Sequence, residues 1–216
     1  MAIELDVSGD FNTILDGFEQ VTLKRRDSAD TVAIPKAWRY SSQTEEAEPG
    51  VADVARNDVV WQFAWDDSVS APAIGDAIID GSGDCWTILS IGELGAKTRL
   101  RCLSRNLYFV HGLNNRVDIE QAIWEDSGSG PEIVGWSTLR SAVPARIQPD
   151  QITVDTQATP PTSTATFRIV LGDVLVLDHN HRIVGTDGTV YQMIAFAQAE
   201  RTDVLPIATV VELANP

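Results

Sequence analysis

Apolar and polar positions alternate along most of this chain, and that alternation is what first assigns it structure. In "VVWQFAWDD", Val59, Trp61, Phe63 and Trp65 alternate with Val60, Gln62, Ala64 and Asp66, the period of two expected of a strand with one buried face. "GDAIIDGSGDCWTILSI" reads as strand, Gly-rich turn, strand, and "TRLRCLS" sets Leu100 and Cys102 against Arg99 and Arg101. Residues 59–104 therefore predict an antiparallel meander. Helical spacing is convincing once: Phe11, Ile14, Leu15 and Phe18 stand at i, i+3, i+4 and i+7, with Ser8 or Asp10 placed as a cap. That predicts one short N-terminal helix.

The same order of patterns returns in residues 165–213: "ATFRIVLG", then "HRIVGTDGTVYQMIAF" as strand, turn, strand, then "DVLPIATVVEL". Setting residue n on n+105 puts Ile78 and Ile79 on Ile183 and Val184, Gly83 on Gly188, and Trp86 on Tyr191. It also puts Ile88 on Met193, Leu100 on Leu205, and Cys102 on Ile207. One more residue of offset puts Trp61, Phe63 and Trp65 on Phe167, Ile169 and Leu171. Upstream, "IPKAW" faces "VPARI" and "VTLKRRDS" faces "QAIWEDSG". A fixed period of this kind is the mark of a repeated unit. The expected fold is all-β, with two tandem small antiparallel β-barrel or sandwich-like domains and one short N-terminal helix. The expected divisions are an N-terminal segment 1–17, a first repeat 18–108 and a second repeat 116–216, with the boundary in "SRNLYFVHGLNNRVD".

Composition narrows the function classes. Of 216 residues, 44% are hydrophobic, enough for packed cores. No apolar run approaches the ~20 residues of a membrane helix. The first residues carry no signal-peptide pattern, so a cytosolic site of synthesis is expected. The net charge of −15, from 31 acidic and 16 basic residues, disfavours a groove that grips nucleic acid. It suits solubility, or a passage along which a polyanion slides without sticking. Cys85 and Cys102 sit in strand-like contexts and read as small buried hydrophobes, a disulfide between neighbouring strands being the alternative.

Candidate chemistry is sparse. There is no G-x-S-x-G elbow, "SGSG" at 127–130 reads as a loop, and no Gly-rich phosphate loop leads into a helix. Acidic neighbours such as Asp66-Asp67 and Glu45-Glu46 diverge in extended chain, unlike the facing carboxylates of a glycosidase. Neither enzymatic activity nor a cofactor is expected. His179 and His181 stand at i, i+2, so on a strand both could reach one metal ion, with Asp173, Asp178 or His111 as third ligand. In the first copy these positions are Ile74 and Asp76. The hairpin is thus built without histidine, and a solvated or interfacial pair, not a metal site, is expected. Trp61, Trp65 and Trp86 fit a core or interface better than a sugar-stacking platform.

Residues 143–213 carry a more specific pattern: "VPARIQP", "TATFRIVL", "HRIVGTDGTVYQMI" and "IATVVEL", with a weaker match in "VTLKRR", "GDAIIDGSGDCWTIL" and "RLRCLSR". This order resembles the head-closure (stopper, or head–tail joining) proteins of tailed bacteriophages. The resemblance implies small β-barrels in a homo-oligomeric ring of six or twelve chains, beneath the portal and its adaptor. Such a ring retains packaged DNA, without sequence-specific binding, and offers a platform for the tail. It would be a virion component assembled in the host bacterial cytoplasm, with no membrane partner. The family usually carries one barrel per chain, whereas two are expected here. The family's channel loop corresponds to residues 41–58 and 149–164, making Glu45, Glu46, Glu48, Asp53, Asp150 and Asp155 candidate channel residues. Trp38, Trp124, Trp136, Arg146, His179 and His181 are candidate interface residues. The rival class is a soluble β-sandwich binding module, sugar-binding through exposed tryptophans.

Overall fold

The computed structural model describes residues 17–26, 30–41, 58–64, 71–94, 99–126, 128, 130–155 and 162–213. The alternating segments become twelve strands. They are β1 (Phe18–Lys24), β2 (Thr31–Ser41), β3 (Asp58–Ala64), β4 (Ala77–Ile79), β5 (Cys85–Leu94), β6 (Arg99–Arg105), β7 (Asn115–Asp126), β8 (Pro131–Asp155), β9 (Thr162–Leu171), β10 (His181–Gly185), β11 (Val190–Ala197) and β12 (Ile207–Leu213). One short helix, α1 (Leu107–His111), follows β6. Asn106 caps it, its side-chain oxygen accepting the Phe109 N–H at 3.0 Å, as a helix start requires.

The strands form two closed antiparallel barrels, ordered β1-β2-β3-β6-β5-β4 and β7-β8-β9-β12-β11-β10. Element by element the two orders are the same. Contacts divide the chain into Met1–Val110 with Arg201–Asp203, and His111–Glu200 with Val204–Pro216. The all-β expectation therefore holds, as barrels rather than sandwiches. Most of the expected N-terminal helix, residues 11–16, lies outside the described residues, and Phe18 opens β1 instead of ending a helix.

Each barrel packs its own core, and equivalent positions fill it. Val21, Leu23, Ile34, Ala37, Trp61, Phe63, Ile78, Ile88 and Cys102 are buried in the first. Val117, Ile119, Val143, Ala145, Ile169, Leu171, Ile183, Met193 and Ala208 are buried in the second. Volume is exchanged between neighbours: where the first barrel has Val59 and Trp61, the second has Phe167 and Ile169. A small-large pair replaced by a large-medium one keeps the interior filled, which close packing demands.

The hairpin alignment at n+105 is the one the strands adopt. Ile78 pairs with Trp86 and Ile183 with Tyr191, and both partner strands bulge at the same point, after Ile88 and after Met193. Elsewhere the register departs from that offset. Ile91 pairs with Cys102 and Phe196 with Ala208, so Cys102 stands on Ala208, not Ile207. Trp61 pairs with Cys102 and Ile169 with Ala208. Val59, Trp61 and Phe63, rather than Trp61, Phe63 and Trp65, therefore match Phe167, Ile169 and Leu171. Leu23 pairs with Ile78 and Ile119 with Ile183, so "VTLKRRDS" faces "VDIEQAIW" rather than "QAIWEDSG". Bulges and unequal hairpins shift the offset while preserving the inward face, because side-chain direction alternates strictly.

Candidate interaction surfaces

The turns entering and closing each β4/β10 hairpin carry most of the buried polar groups. In the first barrel the Ala73 N–H donates to the Asp76 carboxylate at 2.9 Å, and the Asp76 N–H returns to the Ala73 carbonyl at 3.1 Å. In the second, the Asp178 N–H donates to His181 Nδ1 at 3.1 Å, and the His181 N–H returns to the Asp178 carbonyl at 3.0 Å. His181 thus takes the place of Asp76 at this turn, its Nδ1 accepting that N–H in one tautomer and donating to the Asp178 carboxylate in the other. Its Nδ1 also lies 2.8 Å from Asp178 Oδ1. The Asn180 N–H, ahead of the contribution of His181, holds the Asp178 carboxyl below its ordinary pKa.

The metal reading of the histidine pair fails on geometry. His179 is exposed in the turn before β10, whereas His181 is buried at its start. The pair therefore does not share the strand face that joint coordination needs. Among the described residues no group of three or more His, Cys, Asp or Glu side chains is placed to hold a metal. The cysteines also separate. β5 meets β6 as Thr87 with Arg105 and Ile91 with Cys102, which leaves Cys85 several residues along the ladder from Cys102. Neither forms a disulfide, so that alternative is overturned. Burial, with a smaller contribution from Asp76, pushes the Cys102 thiol up to about 12.

At the far end of the first hairpin, Asp80 is buried and fully used. Oδ1 accepts the Ser82 and Asp84 N–H groups, both at 3.0 Å. Oδ2 accepts Trp86 Nε1–H at 3.0 Å and Arg39 Nη1 at 2.9 Å. The Arg39 guanidinium also lies over the Trp61 and Trp86 rings and meets Glu19 at 3.2 Å. Burial alone would raise the Asp80 pKa, but the Trp86 indole, the Asp84 and Ser82 N–H groups and Arg39 together bring it below the ordinary carboxylate value.

Of the interface candidates, Trp38 is 42% exposed, with its ring centroid 4.9 Å from Tyr40. Arg146 is exposed, its Nη1 donating to the His111 carbonyl at 3.2 Å. Trp124 and Trp136 stand on an arm the sequence pattern did not reveal. β10 pairs with β7 only from Val117 to Gln121, but β7 and β8 continue together from Ala122/Trp136 to Asp126/Pro131. The result is a two-stranded ribbon beyond the barrel. At its base Ala142 takes a left-handed φ of 53° and donates its N–H to Asp118 at 2.8 Å. Arg182 bonds Glu120 at 2.6 Å and lies over Trp136 at 4.3 Å. Along the arm Ile123, Trp124, Ile133 and Val134 are each between 43% and 53% exposed. "SGSG" is its turn. Exposed apolar residues on a two-stranded ribbon have no periodicity that separates them from a core strand, so the sequence offered Trp124 and Trp136 as interface candidates but showed neither the arm that carries them nor the exposure of Ile123, Ile133 and Val134.

The expected loop 149–164 is largely strand as well. β8 runs to Asp155 and pairs with β9 from Ala145/Leu171 to Asp155/Thr162, while β12 reaches only Thr166 of β9. Asp150 is exposed on this extension. Asp155 belongs to β8, with its side chain outside those described, and Glu45, Glu46, Glu48 and Asp53 lie outside the described residues. Among the described residues, no helix is long and apolar enough to cross a membrane. Compared with known proteins, the chain matches no family model, no curated protein and no solved structure.

Proposed function

We propose that this chain is a non-enzymatic structural connector of a tailed-phage type of virion, a head-closure ring component built from two barrels. The observation that supports it most is the excursion of the chain between second and third strand, a long connection in the first barrel and an extended hairpin in the second. β2 ends at Ser41 and β3 begins at Asp58, while β8 and β9 extend past their barrel as a hairpin. The resemblance assigns channel lining to this connection. A net charge of −15 suits a wall past which DNA moves, since like charge prevents trapping of phosphates. Closed barrels leave no free edges, so contacts between chains in a ring fall to side-chain faces such as that of the exposed Trp38. The partners are further copies of the chain, a portal–adaptor assembly and a tail protein.

Mass photometry and negative-stain microscopy of the full chain, alone and mixed with portal–adaptor particles, test this. Rings of six or twelve chains, free or on those particles, are expected. A monomer at every concentration that also fails to bind them would sink the proposal. A sugar-binding module is the second reading, favoured by the exposed Trp38 beside the half-buried Tyr40. Saturable quenching of tryptophan fluorescence by an oligosaccharide, abolished in Trp38→Ala, would select it instead.

A further inference from the structure

The β7–β8 arm differs on its two faces. Cross-strand pairs alternate sides, so Ala122/Trp136 and Trp124/Ile133 share one face, and Glu125/Glu132 stands on the other. Like charges directly opposite on a ribbon disfavour its folding. Among the described residues neither Glu125 nor Glu132 has an ion-pair partner, whereas Glu120, nearer the barrel, is held by Arg182. One edge of the arm is open. β10 leaves β7 at Gln121, the Asn180 carbonyl takes the Ala122 N–H at 2.9 Å, and among the described residues no strand pairs with the outer side of Ile123–Asp126. The outer side of β8 is a poorer template, because the register slips opposite Ile123/Trp124 and again opposite Ile119/Glu120, and bulges disrupt pairing.

We infer that the open β7 edge of this arm, at Ile123–Asp126, binds an extended segment of another protein in which lysine or arginine alternates with large apolar residues. A strand added along this edge sends successive side chains to opposite faces. Its apolar residues lie beside Trp124, on the face that also carries Ile133, and its basic residues lie beside Glu125, with Glu132 one strand further across the same face. A second copy of this chain fits poorly. Its own basic-apolar strand, Arg99–Arg105, is already hydrogen-bonded on both sides within its barrel, and two arms together would oppose carboxylate to carboxylate. The inference stands apart from the connector reading, since it concerns one edge and one partner chemistry, whatever assembly the chain enters.

The test uses the full chain and two fluorescein-labelled octapeptides of equal composition, one alternating lysine with valine and one with four lysines followed by four valines. Equal composition separates register from simple attraction to an acidic protein. Fluorescence anisotropy is expected to show the alternating peptide binding about tenfold more tightly, with affinity falling as salt rises. Glu125→Gln/Glu132→Gln should weaken it about fivefold. That variant removes repulsion from the arm, so misfolding cannot account for the loss. Asp150→Asn/Glu212→Gln, which neutralises two exposed carboxylates elsewhere, should leave binding within twofold of the unmodified chain. Equal binding of both peptides, equal loss in the two double variants, or self-association through the arm in sedimentation velocity would each overturn the inference. Ring formation is read separately by mass photometry, so failure of either proposal is distinguishable from failure of the other.

Discussion

Replacing Asp80 by Asn tests whether the buried carboxylate organises the first barrel's hairpin. Asn keeps the shape but turns one acceptor oxygen into an NH2 donor. Whichever way the amide points, two donors lose their acceptor: the Ser82 and Asp84 N–H groups, or Trp86 Nε1–H and Arg39. A bond to a charged group is worth about 1.5–3 kcal/mol, and a stranded buried donor adds a desolvation cost. Arg39, being partly exposed, recovers some of this from water. The expected loss is about 3 kcal/mol of first-barrel stability. Urea unfolding followed by indole N–H resonances is the assay, with Trp61 and Trp86 reporting the first barrel and Trp124 and Trp136 the second. Because the native Asp80 pKa lies below the ordinary value of 3.8, its contribution is present in full above that value. It is lost as pH falls through the lower native pKa. Below about pH 4, therefore, the unmodified protein should lose stability that Asp80→Asn has already lost. A change under about 0.5 kcal/mol, the range of ordinary surface substitutions, would refute the assignment, as would an equal loss in the second barrel.

Three further outcomes follow from single observations. Ser104 Oγ is buried with no hydrogen-bond partner, at a position where the second barrel carries Val210; Ser104→Ala should be neutral or stabilise by up to about 1 kcal/mol in the same urea assay, and a clear loss would mean the hydroxyl is bonded. Cys85 should react with Ellman's reagent at pH 8 while Cys102, buried with its pKa near 12, reacts only after unfolding in guanidinium, so two fast thiols in the native state would contradict the packing. Zinc titration by calorimetry should give the same result for the unmodified chain and for His179→Ala/His181→Ala, and stoichiometric binding lost in the variant would restore the metal site.

How much of this was legible depended on whether a feature is local. The two hairpins could be aligned because their turns demand the same backbone: Gly83 and Gly188 both sit at a left-handed φ, 85° and 84°, where a side chain is strained. The inward faces were legible for the same reason, since alternation records them directly. The offset between copies was not, because it accumulates bulges such as those on β8 and the unequal length of β2 and β8, which no single strand announces. The arm was missed because its apolar residues resemble core residues in sequence. Only the register shows that β10 stops pairing at Gln121.

The closing turns show what sequence comparison between the copies hides and geometry restores. Asp80 falls on Gly185, a replacement that looks like loss of the central acid. The backbone bonds are nevertheless the same: Asp80 N–H to the Asp84 carbonyl and Gly83 N–H to Asp80, Gly185 N–H to the Thr189 carbonyl and Gly188 N–H to Gly185. The missing carboxylate is supplied from two residues later, where Asp187 Oδ1 accepts the Thr189 N–H at 3.0 Å. A Cβ built on Gly185 would stand 2.7 Å from that same oxygen, so the acid at 187 occupies the space that a side chain at 185 would need. Glycine at 185 and aspartate at 187 are therefore one arrangement, as Asp80 with Ser82 is the other. His181 for Asp76 is the same kind of exchange, one polar side chain for another at a fixed turn. What the two barrels hold in common is a set of hydrogen-bond duties and buried positions, and the residue types that meet those duties differ from one copy to the other.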